Sequence, residues 1–266
     1  MREWNAGAVD EGIFVSGAGP LTNIRFADDL LLFAKSSEEA VAMLNRLIIT
    51  LRSFGLELNA KKTKFLSTTV QANDTETVWI DTVGGPVELI AAGRSHKYLG
   101  RTWSGNLRDR GQAAVDHRIS CSWAKFNEYE ASLTDKMVTI KLRLKLFSMT
   151  VIPTLLYCLE TCPLTQLQLD KMNITLRKML RKMVGIVYDD GESWEQRGHR
   201  MKLRLATALK EHPIEDASKT VFTRKKQLQR RLQSNSAPTL AHLCHSWVPL
   251  SRRNRGHPRC RWNDNI

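Results

Sequence analysis

The chain has 266 residues, 42% of them hydrophobic, with a formal net charge of +13 and a sequence pI of about 9.8. This composition is typical of a soluble globular protein of one or two domains, and the basic excess favours nucleic acid over a membrane as partner. Five cysteines without regular spacing argue against a secreted disulfide scaffold. We expect an intracellular protein, in the nucleus or the cytoplasm.

The chain offers no obvious targeting or membrane-spanning segment. Its N-terminus lacks the apolar core of a signal peptide. The most apolar later stretch, residues 146–159, is interrupted by Ser148, Thr150 and Pro153, and a bilayer requires about 20 apolar residues. We therefore expect no membrane insertion.

The first strong pattern lies around two adjacent aspartates. Residues 13–15 predict a short strand, and a turn signal follows at 17–20. Residues 23–26 then alternate in polarity and 30–34 are continuously apolar, so both read as strands, with Asp28 and Asp29 as the two-residue turn between them. Two carboxylates at such a tip can bind Mg²⁺ or Mn²⁺, although a solvated turn without function is the alternative.

A helix and several short strands are predicted next. Ser36 is a good N-cap for an amphipathic helix that ends at Gly55 and covers one face of the sheet. Residues 56–58 alternate like a strand, Asn59 begins a turn, and a second strand starts at Thr63. Residues 78–80 and 87–90 predict a hairpin, and 97–100 predict a strand that ends in a turn.

From residue 107 onward the pattern is helical. Helices are predicted near 113–126, 138–147 and 164–184, and Pro153 is expected to end or kink the element it lies in. The helix near 164–184 is expected to turn its apolar residues inward (Leu167, Met172, Ile174, Leu176, Leu180, Met183) and its basic residues outward (Lys171, Arg177, Lys178, Arg181, Lys182).

The last third is more basic still. Residues 197–261 contain sixteen Lys or Arg against three Asp or Glu. A helix is predicted at 217–232, followed by a tail at 252–262 that we interpret as a disordered nucleic-acid arm. The potential zinc ligands Cys244, His245, His257 and Cys260 are discounted, because their spacing fits no standard zinc motif.

Three motifs occur in a characteristic order: Phe-Ala-Asp-Asp between two strands, the segment 55–64 with its Lys-Thr-Lys end, and Lys-Tyr-Leu-Gly at 97–100. This order resembles the C-terminal part of the reverse transcriptases of non-LTR (LINE-type) retrotransposons, from about residue 13 onward and more weakly after residue 185. The resemblance implies an α+β fold. Its parts are a partial palm with a small antiparallel sheet and a helix at 1–104, a helical thumb-like region at 105–190, and a basic helical region with a tail at 191–266.

The resemblance also implies an activity and roles for residues. The activity is RNA-directed DNA synthesis by two-metal nucleotidyl transfer, with an RNA template, a DNA primer and deoxynucleoside triphosphates as partners. Asp28 is then the main metal ligand, with Asp29 beside it. Lys62, followed by Lys64, is the candidate proton donor to pyrophosphate, unless these lysines only solvate a strand edge. The implied contacts to primer and duplex are Tyr98, Leu99 and Gly100, and Lys141, Arg143, Lys145, Arg177, Lys178 and Arg181.

One departure from the family pattern limits the expected activity. In the resembled polymerases, a further strand with an essential aspartate and a nucleotide-selecting segment precede the Asp-Asp hairpin. Here no strand pattern surrounds the earlier acids Glu3, Asp10 and Glu11. We therefore expect this chain to be incomplete as an isolated enzyme. A catalytically inactive nucleic-acid-binding module and a retrotransposon relic without selected function are the alternatives.

Overall fold

A computed structural model describes residues 11–15, 17–67, 77–90, 95–104, 110–185, 191–234, 239–246 and 262. The chain divides into two compact units. Residues 1–98, 103–107 and 230–256 belong to the first unit, and residues 99–102, 108–229 and 257–266 to the second. Short strands precede a long helical region, so the predicted α+β fold is confirmed.

The strands are β1 (Ile13–Val15), β2 (Gly19–Leu21), β3 (Asn23–Phe26), β4 (Asp29–Leu32), β5 (Lys64–Phe65), β6 (Val78–Ile80), β7 (Val87–Leu89), β8 (Ser95–Tyr98) and β9 (Arg101–Ser104). The helices are α1 (Ser37–Ser53), α2 (Arg110–Glu128), α3 (Glu130–Thr134), α4 (Ile140–Leu156), α5 (Gln166–Val184), α6 (Trp194–Glu211), α7 (Ala217–Ser234) and α8 (Leu240–Ser246). A 3₁₀ turn covers Leu159–Thr161.

The described strands form four small sheets, most of them antiparallel as predicted. β1 pairs with β2, β3 with β4, and β8 with β9, while the fourth sheet has the order β5–β7–β6. β6 and β7 form the predicted antiparallel hairpin, but β5 pairs with β7 in parallel. A parallel partner requires a long connection, which the sequence pattern of the individual strands does not reveal.

The helix α1 supplies the core of the first unit. The Ser36 side chain accepts a hydrogen bond from the Glu39 N–H and caps the helix as predicted. The apolar stripe of α1 is buried and packs against strand residues such as Leu30 and Leu32 of β4. The helix therefore covers one side of the β3–β4 hairpin.

The segment after α1 differs from the prediction. Residues 56–58 form no strand, and β5 contains only Lys64 and Phe65. A turn directly precedes β5, in which the backbone N–H groups of Lys62 and Thr63 both donate to the carbonyl of Asn59. These local bonds use N–H groups that an extension of β5 toward residue 62 would need for pairing.

The second unit is a helical bundle with a large apolar core. Phe126 of α2 makes an edge-to-face contact with Phe147 of α4, with ring centroids 6.2 Å apart. Thr165 and Gln168 form a capping box that begins α5. Buried core residues from these three helices include Val115, Leu144, Val151, Met172, Met179 and Leu180.

Two helix predictions need correction in detail. Pro153 does not end its helix, because it lies inside α4, which continues to Leu156. Leu167 and Ile174 are 82% and 52% exposed rather than inward-facing. The buried stripe of α5 follows Met172, Thr175, Leu176, Met179, Leu180 and Met183, with helical spacing that leaves the other two residues on the outer side.

The segment Ile140–Thr161 has a mean hydropathy of 1.4 and, within the described chain, is the one helix long and apolar enough to cross a membrane. This segment is longer than the apolar stretch considered from the sequence. Its residues Leu144, Phe147, Val151 and Leu155 are nevertheless buried in the helical core. Packing in the core accounts for these buried residues, whereas Leu142 and Met149 of the same helix are exposed.

The basic end of the chain is described in part. α7 confirms the predicted helix at 217–232. Residues 252–261 of the predicted arm lie outside the described residues, as do His257 and Cys260 of the discounted zinc site. Trp262 is described, and its indole N–H donates to the Glu160 carbonyl at 2.6 Å.

Candidate active site and nucleic-acid surface

The two aspartates lie at the tip of the β3–β4 hairpin, but not as predicted. Phe26 pairs with Asp29, so the two-residue turn consists of Ala27 and Asp28. Ala27 has a φ of +52°. Positive φ at the first turn position only is the pattern of a type II′ turn, one of the two favoured hairpin turns. Asp28 is therefore in the turn, and Asp29 is the first residue of β4.

Both carboxylates are exposed. Neither makes a hydrogen bond or an ion pair with any residue that the structure describes. Leu30 and Leu32 face α1, so alternation along β4 directs Asp29 to the opposite face of the hairpin. Its cross-strand partner Phe26 is 62% exposed, which shows that this face is open. A cation in solution can therefore reach both carboxylates.

Tyr98 lies within electrostatic range of Asp29. The Tyr98 hydroxyl is buried, and no described group hydrogen-bonds to it. Burial, followed by the negative charge of Asp29, raises the pKa of the Tyr98 phenol above its ordinary value of 10.0. The fold of the first unit thus brings Tyr98 within electrostatic range of Asp29, although the two residues are far apart in the sequence.

The two candidate lysines have different surroundings. Lys62 is exposed, and the turn at Asn59 fixes its backbone through hydrogen bonds to the Asn59 carbonyl and side-chain oxygen. Lys64 lies on the edge strand β5, where its ammonium group is 2.5 Å from the Glu88 carboxylate on β7. Lys64 is therefore engaged in a half-buried ion pair, whereas Lys62 has no side-chain partner in the described part of the chain.

Leu99 and Gly100 form the turn between β8 and β9. Their φ values are +49° and +72°, and positive φ at both positions is characteristic of a type I′ hairpin turn. Arg118 and Tyr157 contact this turn, as described below. Neither residue stands out in the sequence, because Arg118 lies on α2, Tyr157 directly follows α4, and the two belong to no local motif.

The basic residues proposed to contact a duplex fall into three groups. Lys141, Lys145, Lys178 and Arg181 are exposed, and the structure describes no partner for their side chains. Arg177 is exposed but pairs with Asp216 at 3.3 Å. The third group contains only Arg143.

Arg143 is only 9% exposed. Its guanidinium donates to the carbonyls of Met183 at 2.7 Å, Val138 at 3.1 Å and Leu133 at 3.4 Å. A phosphate contact would require Arg143 to leave these buried carbonyls. We therefore exclude Arg143 from the nucleic-acid surface and assign it to the stability of the bundle, a role that its position in a basic stretch did not reveal.

The donors available for a divalent cation are few. Among the described residues, no group of three or more His, Cys, Asp or Glu side chains is arranged to hold a metal ion. Asp28 and Asp29 therefore provide two carboxylates without a third neighbour from that set. Carboxylate oxygens are the donors that Mg²⁺ prefers, and Mg²⁺ is commonly held by one or two carboxylates plus substrate phosphates.

Comparison with known proteins shows two similarities. Residues 10–103 match the family model of reverse transcriptase (RNA-dependent DNA polymerase). The chain is also 27% identical, over 247 residues, to a transposon-derived protein of Caenorhabditis elegans. That alignment covers 92% of this chain and 84% of the nematode protein.

The reverse transcriptase match contains the Asp-Asp hairpin, Lys62 and the Leu99–Gly100 turn. The helices α2 to α8 lie beyond it. Residues 10–103 therefore resemble a reverse transcriptase domain, and most of the chain is similar to a transposon-derived protein.

Proposed function

We propose that this chain is the C-terminal part of a non-LTR retrotransposon reverse transcriptase, from the Asp-Asp hairpin through a thumb-like bundle to a basic tail. The observation that carries the proposal is the hairpin tip itself. The carboxylates of Asp28 and Asp29 are exposed and have no described partner. Tyr98 lies within electrostatic range of Asp29, and all three residues fall within the reverse transcriptase match.

In this proposal, Asp28 and Asp29 would hold Mg²⁺ or Mn²⁺ for two-metal nucleotidyl transfer. The donor set fits a hard divalent cation, because it consists of carboxylate oxygens on a hairpin that packs against α1. When bound, the metal would neutralise charge on the phosphates of the incoming nucleotide. Two carboxylates leave most coordination positions to water and nucleotide, so we expect metal binding to be much stronger with a deoxynucleoside triphosphate present.

Lys62 is the candidate for protonating the pyrophosphate leaving group. Its exposure and its fixed backbone support this assignment. Lys64 is the weaker candidate because the Glu88 carboxylate already binds its ammonium group. A general acid must be free to approach the leaving group, a condition that Lys62 satisfies better.

The primer and the duplex would contact other surfaces. Tyr98, Leu99 and Gly100 would place the DNA primer, because a tight glycine-containing turn lets a backbone approach a phosphate closely. The exposed bases Lys141, Lys145, Lys178 and Arg181 would contact phosphates of the RNA–DNA hybrid, with Arg177 beside them. Such contacts hold register without reading sequence.

A second candidate is a nucleic-acid-binding module without catalytic activity. The observation that favours it is that, in the described part of the chain, only two potential metal ligands occur together at the hairpin tip. A two-metal site normally needs a further bridging carboxylate. The basic surface of the helical bundle would remain functional in such a module.

Primer extension separates the two candidates. The full chain is incubated with a primed RNA template, deoxynucleotides and Mg²⁺, and compared with Asp28→Asn and with Asp81→Asn, an exposed aspartate away from the hairpin. Extension that Asp28→Asn abolishes and Asp81→Asn preserves supports the polymerase.

Hybrid binding that weakens steeply with salt, without extension, supports the binding module. We expect binding with inefficient extension from this chain alone. Absence of both binding and extension would contradict both candidates and favour a relic.

A further inference from the structure

We propose that Arg118 and Tyr157 form a bracket that holds the Leu99–Gly100 turn in the conformation needed to place a primer. The two residues belong to α2 and to the end of α4, and both contact the turn within the second unit. The primer part of this inference rests on the proposed function. The holding of the turn does not, and it can be tested by itself.

The turn needs support from outside. Leu99 has a φ of +49°, and this left-handed conformation is sterically unfavourable for a residue with a side chain. Leu99 is also 37% exposed, so burial of its side chain does little to compensate this cost. A two-residue turn between short strands would sample other conformations without further contacts.

Arg118 provides the first contact. Its guanidinium donates a hydrogen bond to the carbonyl of Gly100. The same guanidinium lies 4.5 Å from the centroid of the Tyr157 ring, in cation–π geometry. The ring therefore holds Arg118 in place while Arg118 holds the turn.

Tyr157 provides the second contact. Its hydroxyl is 3.5 Å from the carbonyl of Leu99, and its ring lies directly against Gly100. A Cβ added to Gly100 would be only 3.0 Å from Cε1 of that ring. Glycine at position 100 is therefore required twice, by the positive φ and by the close approach of Tyr157.

The bracket ties the turn to the helical bundle. Arg118 of α2 binds the carbonyl of Gly100, and Tyr157, directly after α4, packs against the turn. The bundle therefore fixes the conformation of the turn. Arg118 and Tyr157 act on a primer through the turn and are positioning residues rather than catalytic ones.

Hydrogen exchange of the peptide covering residues 95–104 tests whether the bracket holds the turn. Arg118→Met is expected to speed exchange about tenfold or more, because a hydrogen bond from a charged donor is lost. Tyr157→Leu is expected to speed it about tenfold, because the ring supports both Arg118 and Gly100. Tyr157→Phe keeps the ring, so the exchange rate of this peptide should change less than about threefold.

Matched controls separate the bracket from general damage to the bundle. Tyr129→Phe, at a tyrosine away from the turn, and Arg204→Lys, at an exposed arginine of α6, should leave the 95–104 peptide unchanged. Peptides from α5 should stay protected in every variant. Unchanged turn exchange in Arg118→Met and in Tyr157→Leu would overturn the bracket.

Affinity for an RNA–DNA hybrid tests the consequence for the primer. Tyr157→Leu removes no charge, so we expect weaker binding with an unchanged salt slope. Faster turn exchange with unaltered affinity would overturn the positioning role. If the unmodified chain binds no hybrid at all, the proposed function fails and the primer role fails with it, whereas exchange still decides whether the bracket holds the turn.

Discussion

The Tyr98 phenol lies within the electrostatic reach of Asp29. Burial and the charge of Asp29 both raise the pKa of Tyr98, and the Tyr98 hydroxyl has no described hydrogen-bond partner. This relationship connects the residue that follows the hairpin turn with a residue of the Tyr-Leu-Gly motif. It provides a spectroscopic probe of the candidate active site.

Neutralising Asp29 should lower the pKa of Tyr98. We expect Asp29→Asn to bring the Tyr98 titration closer to the ordinary value of 10.0, as measured by ultraviolet difference titration, with Tyr98→Phe identifying the signal. Because the folded pKa is raised, Tyr98 stabilises the fold below its ordinary pKa, and that contribution is lost as pH rises through the folded pKa. An equal change in Asp28→Asn would contradict the assignment to Asp29.

The hairpin turn contains a replaceable alanine. Ala27 has a φ of +52°, which glycine adopts without steric cost. We therefore expect Ala27→Gly to raise the free energy of unfolding by up to about 1 kcal/mol, net of glycine's greater chain entropy. In the control Ala42→Gly, on the exposed side of α1, the same change should lower it by about 1 kcal/mol. Urea unfolding measures the free energy of unfolding of both variants. Destabilisation by Ala27→Gly would contradict the positive φ of Ala27 in the turn.

The ion pair between Lys64 and Glu88 should stabilise the β5–β7 pairing. The two side chains are only 20% and 22% exposed, so the pair is better shielded than a surface ion pair. We expect Glu88→Gln to lower the free energy of unfolding by roughly 1–2 kcal/mol. The exposed Glu57→Gln is the control and should have little effect. Chemical denaturation measures both variants. If Glu88→Gln and Glu57→Gln lowered the free energy of unfolding equally, the ion pair would contribute nothing to stability.

Arg143 should matter for stability rather than for binding. Its guanidinium serves three carbonyls, from Leu133, Val138 and Met183. Lysine cannot reproduce this fork of donors, so we expect Arg143→Lys to cost about 2–4 kcal/mol. Lys145→Met on the exposed side of α4 should cost much less and should instead weaken hybrid binding. Thermal or urea unfolding measures the stability of both variants. An Arg143→Lys protein as stable as the unmodified chain would contradict the role of Arg143 in binding the three carbonyls.

The salt dependence of hybrid binding should report which bases contact phosphate. Lys178→Gln combined with Arg181→Gln should reduce the slope of log affinity against log salt by about 1.5, because neither side chain has a described partner. The matched control replaces Lys171 and Lys182 by Gln. These lysines already pair with Asp116 and Glu130, so we expect a smaller change. Equal slopes for the two double variants would argue against this surface.

The sequence by itself determined the local elements of this protein. The β3–β4 hairpin, the capped helix α1, the β6–β7 hairpin and the helices α2, α4, α5 and α7 follow from the periodicity of apolar residues and from the capping residue Ser36. These signals act between near neighbours in the chain, so they can be read without the fold. The α+β class follows from the order of these elements.

The tertiary structure decided what distant residues do for one another. It placed Tyr98 within electrostatic range of Asp29 and paired Lys64 with Glu88. It buried the Arg143 guanidinium among the three carbonyls to which it donates and brought Arg118 and Tyr157 into contact with the Leu99–Gly100 turn. It also made Asp29 a strand residue, because the pairing of Phe26 with Asp29 fixes the turn one residue earlier. Burial, ion pairing and register depend on which segments pack together, and the local pattern of a single sequence does not encode that choice.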